Sequence, residues 1–224
     1  MQATDLYTRV SMTLQDMQTP RRWEWDFTEG TETISLQPIL NQAIETIASF
    51  RPDATSTTEV VALVKGAKQE LPTGAQQLIE ILRNMGSDGS SPGKAITKTT
   101  RSALDAFNRD WMNKTGTSIE HWIYDITQSK NIFWVCPAVP SGGLHVEMIY
   151  SQQPTKITAQ TDEIPLSSVY FEPIYHHMLF QIFAGESEDA NFKRGMEHWS
   201  VFKDLLGLKQ QTDKAYAQGV AQET

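Results

Sequence analysis

Apolar residues recur three or four apart at both ends of this chain and every second residue in its middle. Near the start, Leu6, Val10, Leu14 and Met17 share a helical face over residues 4–18, with Thr4 or Asp5 placed to cap it. A connector containing Trp and Pro, TPRRWEWDFTEGTE, follows. Ser35 then opens a second helix whose stripe is Leu36, Ile39, Leu40, Ala43, Ile47 and Phe50. Arg51-Pro52 ends it, because proline disfavours helical backbone in the residue before it.

The middle changes period. EVVALV (59–64), the turn-like KGAK and QELP (69–72) predict a short β pair. AQQLIEILRNMG (75–86) fits a helix through Leu78, Ile81, Leu82 and Met85, while its length and glycine stop also allow a strand. GSDGSSPGK (86–94) is a loop, ALDAFNRDW (103–111) a short helix or turn, and HWIYDI (121–126) a strand. NIFWVCPAVPSGGLHVEMIYSQQP (131–154) reads as a hairpin turning at PSGG. Its second arm alternates Leu144, Val146, Met148 and Tyr150 with His145, Glu147, Ile149 and Ser151, so one face is buried. Its first arm is apolar on both faces, as in a more central strand.

Helical spacing then returns. Val169, Tyr170, Ile174, Met178 and Ile182 form one stripe, closed by Gly185. Phe192, Met196, Trp199, Phe202 and Leu206 form another, with Gly207 at the C′ position. The remaining LKQQTDKAYAQGVAQET is polar. The expected fold is therefore α+β: a four-helix bundle built from both chain ends, a β-rich insert in the middle and a flexible polar C-terminal tail. Its parts are a helical pair over 1–54, the insert over 55–164, a second helical pair over 165–207 and an extended tail over 208–224.

Composition narrows the function. At 224 residues, with 39% hydrophobic side chains, the chain is long enough to bury a sizeable core. No run is apolar enough to span a membrane, and MQATDLYTRV lacks the apolar stretch of a signal peptide, so cytosol-like conditions are expected. The single Cys136 excludes an internal disulfide and any Cys-based zinc site. A net charge of -8 argues against an ordinary nucleic-acid-binding surface, though it suits one that nucleic acid must slide past.

Motifs for chemistry are missing. A P-loop fails because Asp88 stands where its first glycine belongs and Ala95 follows Gly93-Lys94. His121, His145, His176, His177 and His198 lack metal-site spacing, and adjacent His176 and His177 diverge on a helix, so a surface or interface role is expected. ESED (186–189) reads as helix capping and Cys136 as a buried thiol. No cofactor or metal is implied. Arg22, Trp23 and Trp25, beside Arg21, form an interface-type cluster, although a tryptophan can equally staple two helices. An enzyme would have only Trp23, His121 and Glu147 to draw on, so an interaction protein is the better reading.

The order of motifs resembles the head–tail adaptor, or connector, proteins of short-tailed bacteriophages. The resemblance runs through LYTRVSMTLQDMQTPRRW, LNQAIETIASFRPDA, ELPTGAQQLIEILRNMG, ITKTTRSALDAFNRDW, HWIYDITQSKNIFWVCPAVPSGGLHVEMIYSQQP, IPLSSVYFEPIYHHMLFQIFA, ESEDANFKRGMEHWSVFKDLLGLK and the tail. It departs at Asn108-Arg109-Asp110-Trp111, where the family pattern has a proline before the tryptophan. The resemblance implies a structural virion protein of the neck, made in the host cytoplasm, that forms a ring of twelve below the portal. Such a ring extends the DNA channel without specific DNA binding and docks nozzle or fibre proteins. The tail would meet the portal through Leu208, Lys209, Gln210, Lys214, Tyr216 and Val220. Arg22, Trp23 and Trp25 would meet a tail protein or a neighbouring subunit. The alternative is a tail-completion or nozzle protein.

Overall fold

A computed structural model describes residues 1–15, 22–25, 34–185 and 189–222. The chain divides into two units, Met1–Phe50 with Pro154–Thr224, and Arg51–Gln153. No helix among the described residues is long and apolar enough to cross a membrane.

Unit 1 holds α1 (Ala3–Thr13), the two-residue parallel pair β1 (Trp23–Glu24) and β2 (Ile34–Ser35), α2 (Gln37–Phe50), α4 (Phe171–Ala184) and α5 (Asp189–Gln222). The expected four-helix bundle does not form. α4 is a hub on which α1, α2 and α5 each pack, and α1 and α2 do not form a helix pair with each other. A strap over 154–166 links them instead. Asn41 of α2 both donates to the Ile157 carbonyl and accepts its N–H, while the Ala3 and Thr4 N–H groups of α1 bond the Asp162 and Gln160 carbonyls. Ile157 and Ile164 of this strap are buried, filling space that a bundle would give to helix–helix packing.

The helix ends also depart from expectation. α1 starts at Ala3 with Gln2, not Thr4 or Asp5, as its N-cap, and the Asp5 carboxylate accepts the Gln2 N–H as the reciprocal half of a capping box. Ser35 lies in β2 and donates to the Trp25 carbonyl. The largest correction is at the C-terminus. α5 runs 34 residues straight through Gly207, so 208–222 is helix and not a flexible tail. One glycine costs only about 1 kcal/mol in a helix interior. The Lys, Gln and Ala residues that follow favour helix, no proline interrupts them, and Lys209 pairs with Asp213 one turn on at 2.8 Å.

Unit 2 is two sheets across one core, with α3 (Arg101–Phe107) on the outside. The first sheet has the order β3 (Ser56–Leu63), β9 (Leu144–Gln152), β5 (Ala75–Asn84), all antiparallel. The second has the order β4 (Gly66–Glu70), β8 (Ile132–Val139), β7 (His121–Ile123), β6 (Thr97–Lys98), with only β6 and β7 parallel. Leu78, Ile81, Val146 and Met148 from the first meet Trp122, Phe133 and Val135 from the second.

Neither expected hairpin forms. β3 and β4 belong to different sheets, as do β8 and β9. Each pair is an arch that crosses the core, and the two arches stack: Leu63 lies opposite Leu144, and Gly66 opposite Val139. The buried Gln69 amide fixes the 64–66 turn, accepting the Val64 N–H at 2.9 Å and donating to the Val64 and Gly66 carbonyls at 2.7 and 2.9 Å. β8 is apolar on both faces because it is interior to its sheet: Phe133 and Val135 face the shared core, while Trp134 and Cys136 pack toward Trp111 and Leu104.

Candidate interaction surfaces

The seam between α4 and α5 is built from aromatic rings at helical spacing. His177 is buried among Phe180, Trp199 and Phe202, and its Nδ1 has no hydrogen-bond partner among the described residues. Burial lowers its pKa to about 4, so it is neutral at pH 7. His176 and His198 face each other Nδ1 to Nδ1 at 2.9 Å, which requires a hydrogen on one of the two nitrogens. Burial holds both below the usual imidazole range, and His198 is lowered further by His176 and Arg194. Gly195 lets the helices approach: a Cβ there would sit 3.1 Å from the Ala184 nitrogen.

On α5 the line Gly195, Phe202 and Leu206 is buried, with His198 and Trp199 half-buried on either side of it. At roughly 100° per residue, Phe192 and Met196 fall on one flank of that line and Val201 and Leu208 on the opposite flank. All four are exposed. Two separate apolar flanks on one helix are what the stripe Phe192–Leu206, read as a single buried face, did not anticipate.

Trp23 and Trp25 are 6% and 4% exposed, so both rings are core rather than surface. Trp25 meets Tyr7 edge-on at 6.4 Å, acting as the staple between segments. Arg22 is exposed and its guanidinium lies 5.7 Å from the Trp23 ring. It lines a polar groove of about 390 Å³ with Thr13, Gln15, Asn191 and Arg194. Arg22 and the groove rim are the part of this cluster that a partner can reach.

Among the other expected contact residues, Leu208 is 60% exposed. Gln210 and Lys214 are exposed as well, and Lys209 is tied to Asp213. Tyr216 and Val220 lie on α5, with side chains outside the described residues, as are Glu186, Ser187 and Glu188. Leu208 and Lys214 point to different sides of one helix, so a single partner face does not collect all six positions.

In unit 2 the residues considered for catalysis are separately engaged. His121 Nδ1 bonds the Thr97 hydroxyl at 2.7 Å, and Glu147 takes the Arg83 guanidinium at 2.6 Å. Trp23 belongs to the other unit. Burial raises the Cys136 pKa, which leaves its thiol protonated and weakly reactive. A cavity of about 250 Å³ lies against α3, lined by Trp111, Met112, Ile123, Tyr124 and Trp134 with Lys98 and Arg101 among its polar residues. Phe107, at the end of α3, is 91% exposed. Neither was legible beforehand, because 97–134 interleaves strand, helix and loop with no sustained period.

A model of the family described as SU10 adaptor protein matches residues 1–222. No curated protein matches the chain.

Proposed function

Because the chain belongs to the SU10 adaptor protein family, a family of phage head–tail adaptors, we propose that it forms a ring of twelve below the portal. The match over 1–222 carries this reading, since it takes in both units and α5. The ring extends the DNA channel, and its acidic balance of -8 lets DNA pass without being held. Unit 1 makes the ring contacts. A closed ring of identical chains needs two different faces on each chain, and the apolar flanks of α5, Phe192 with Met196 and Val201 with Leu208, supply two. Residues 208–222 contact the portal as a helix, and unit 2 carries the contacts with nozzle or fibre proteins.

The test is the mass of the portal ring after mixing with this chain. A gain of twelve chains supports the reading. A portal of unchanged mass, with this chain left free, moves it to a nozzle or tail-completion role.

A further inference from the structure

An antiparallel sheet shows partner-seeking chemistry at any edge whose N–H and C=O groups are left unpaired. Unit 2 has four edges. β6 is two residues long. β4 is five residues long, has a register break between Gly66 and Lys68, and carries Lys68, with Lys65 immediately before it. β5 is broken by three register shifts and covered at its end by 94–96, where Asn84 N–H bonds the Lys94 carbonyl and Ile96 N–H bonds the Leu82 carbonyl.

β3 has none of these protections. It is eight residues long, pairs with β9 without a register break, and contains no proline or base. His145 of β9 directs both its backbone groups away from β3, bonding Gly86 and Met85. Alternation then turns Val146 and Met148 toward their β3 partners Val61 and Glu59. It leaves the N–H and C=O groups of Thr58, Val60 and Ala62 pointing outward. No other described segment bonds to them, and all three residues are exposed, Val60 by 42%.

We infer that β3 is a docking edge, on which an extended segment of a tail protein adds as a fourth strand beside Thr58, Val60 and Ala62. The inference rests on the adaptor reading above and names the mode by which unit 2 docks its partner. Only another extended backbone presents donors and acceptors at the spacing of this edge. A second copy of β3 would give a twofold pair, and a twofold contact does not propagate round a ring. The incoming strand is therefore not a second β3, and on the adaptor reading it comes from a tail protein. It carries small or β-branched residues opposite Val60, and a basic residue beside Glu59, the one charge on β3.

The experiment is amide hydrogen exchange, resolved to single residues over 56–63, on the free chain and on tailed particles of the phage that encodes it. In the free chain Glu59 and Val61 are protected while Thr58, Val60 and Ala62 exchange; in tailed particles all five are protected. Val60→Pro removes one outward donor and leaves the β3–β9 ladder whole. Portal complexes loaded with this variant bind the purified nozzle protein about tenfold more weakly. Ala62→Lys blocks the same edge should the proline variant fold poorly. The inference is overturned if the three amides stay open in tailed particles, or if both variants bind the nozzle protein as the wild type does. Protection in the free chain together with a dimer mass assigns the edge to a second copy and also overturns it. A chain that adds no mass to the portal overturns the adaptor reading, and with it the choice of partner.

Discussion

Gln69→Leu should destabilise unit 2 by roughly 2 kcal/mol. Gln69 is 2% exposed, and its amide makes three hydrogen bonds to the 64–66 turn. At about 1 kcal/mol net for each bond the ceiling is ~3 kcal/mol. The true value is lower because Val64 is 65% exposed, so water can replace part of what the amide supplies. Leucine keeps the volume and loses only the bonds. Gln69→Glu is the sharper probe. One carboxylate oxygen can still accept the Val64 N–H, but the other then faces two carbonyl oxygens and has nothing to accept. The folded state therefore favours the protonated acid, raising its pKa above the usual value of about 4.3. Below that value both folded and unfolded chains are protonated and the variant keeps its stability. As pH rises toward the folded pKa that stability is lost. Urea unfolding at pH 4 and pH 7, read by amide protection of 66–70 to isolate unit 2, measures both variants. The reasoning fails if Gln69→Leu costs less than about 0.5 kcal/mol, or if Gln69→Glu is no more pH-dependent than Gln69→Leu.

Two further outcomes concern the α4–α5 seam. His177 has its folded pKa depressed to about 4 from 6.5. Its contribution is complete above pH 6.5 and is lost as pH falls toward 4, by up to roughly 3 kcal/mol. His177→Leu should be less pH-sensitive than the wild type over that window in urea unfolding followed by tryptophan fluorescence; equal sensitivity in both would show that His177 is not the group responsible. Gly195→Leu should lower unit 1 stability by about 1–3 kcal/mol through overpacking, since a Cβ there already sits 3.1 Å from the Ala184 nitrogen and 3.3 Å from the Phe180 carbonyl. An unchanged thermal midpoint would mean the helices do not approach so closely.

What was legible in the sequence depended on whether a residue's partners were near in the chain. Helices α2 and α4 follow from their own stripes, and β8 shows two apolar faces because it is interior to its sheet. KGAK and PSGG mark turns, but nothing local says whether the strands they join pair together or cross a core, and both cross. The segment 75–86 kept a helix-like spacing for a physical reason. Register shifts between Ala75 and Gln77, Leu78 and Glu80, and Ile81 and Arg83 bury Leu78, Ile81 and Asn84, a period of three in a strand. Gly207 looked like a stop because glycine is common there, while the helix formers beyond it decide otherwise. The family was legible from the order of short motifs along the whole chain. The edge at β3 was not, since an unpaired strand and a paired one can have the same sequence.

The stem of unit 2 has a consequence for inheritance. The chain leaves unit 1 after Phe50 and re-enters it at Pro154, and close to these crossings Ser56 lies directly opposite Ser151. Paired strand residues stand only about 5 Å apart, so the inserted segment begins and ends at nearly one point. Lengthening a loop closed in this way costs little, about 0.6 kcal/mol for each doubling. Recombination between phages can therefore exchange the whole of residues 56–151 for a module of another size, leaving the helical scaffold and its closure intact.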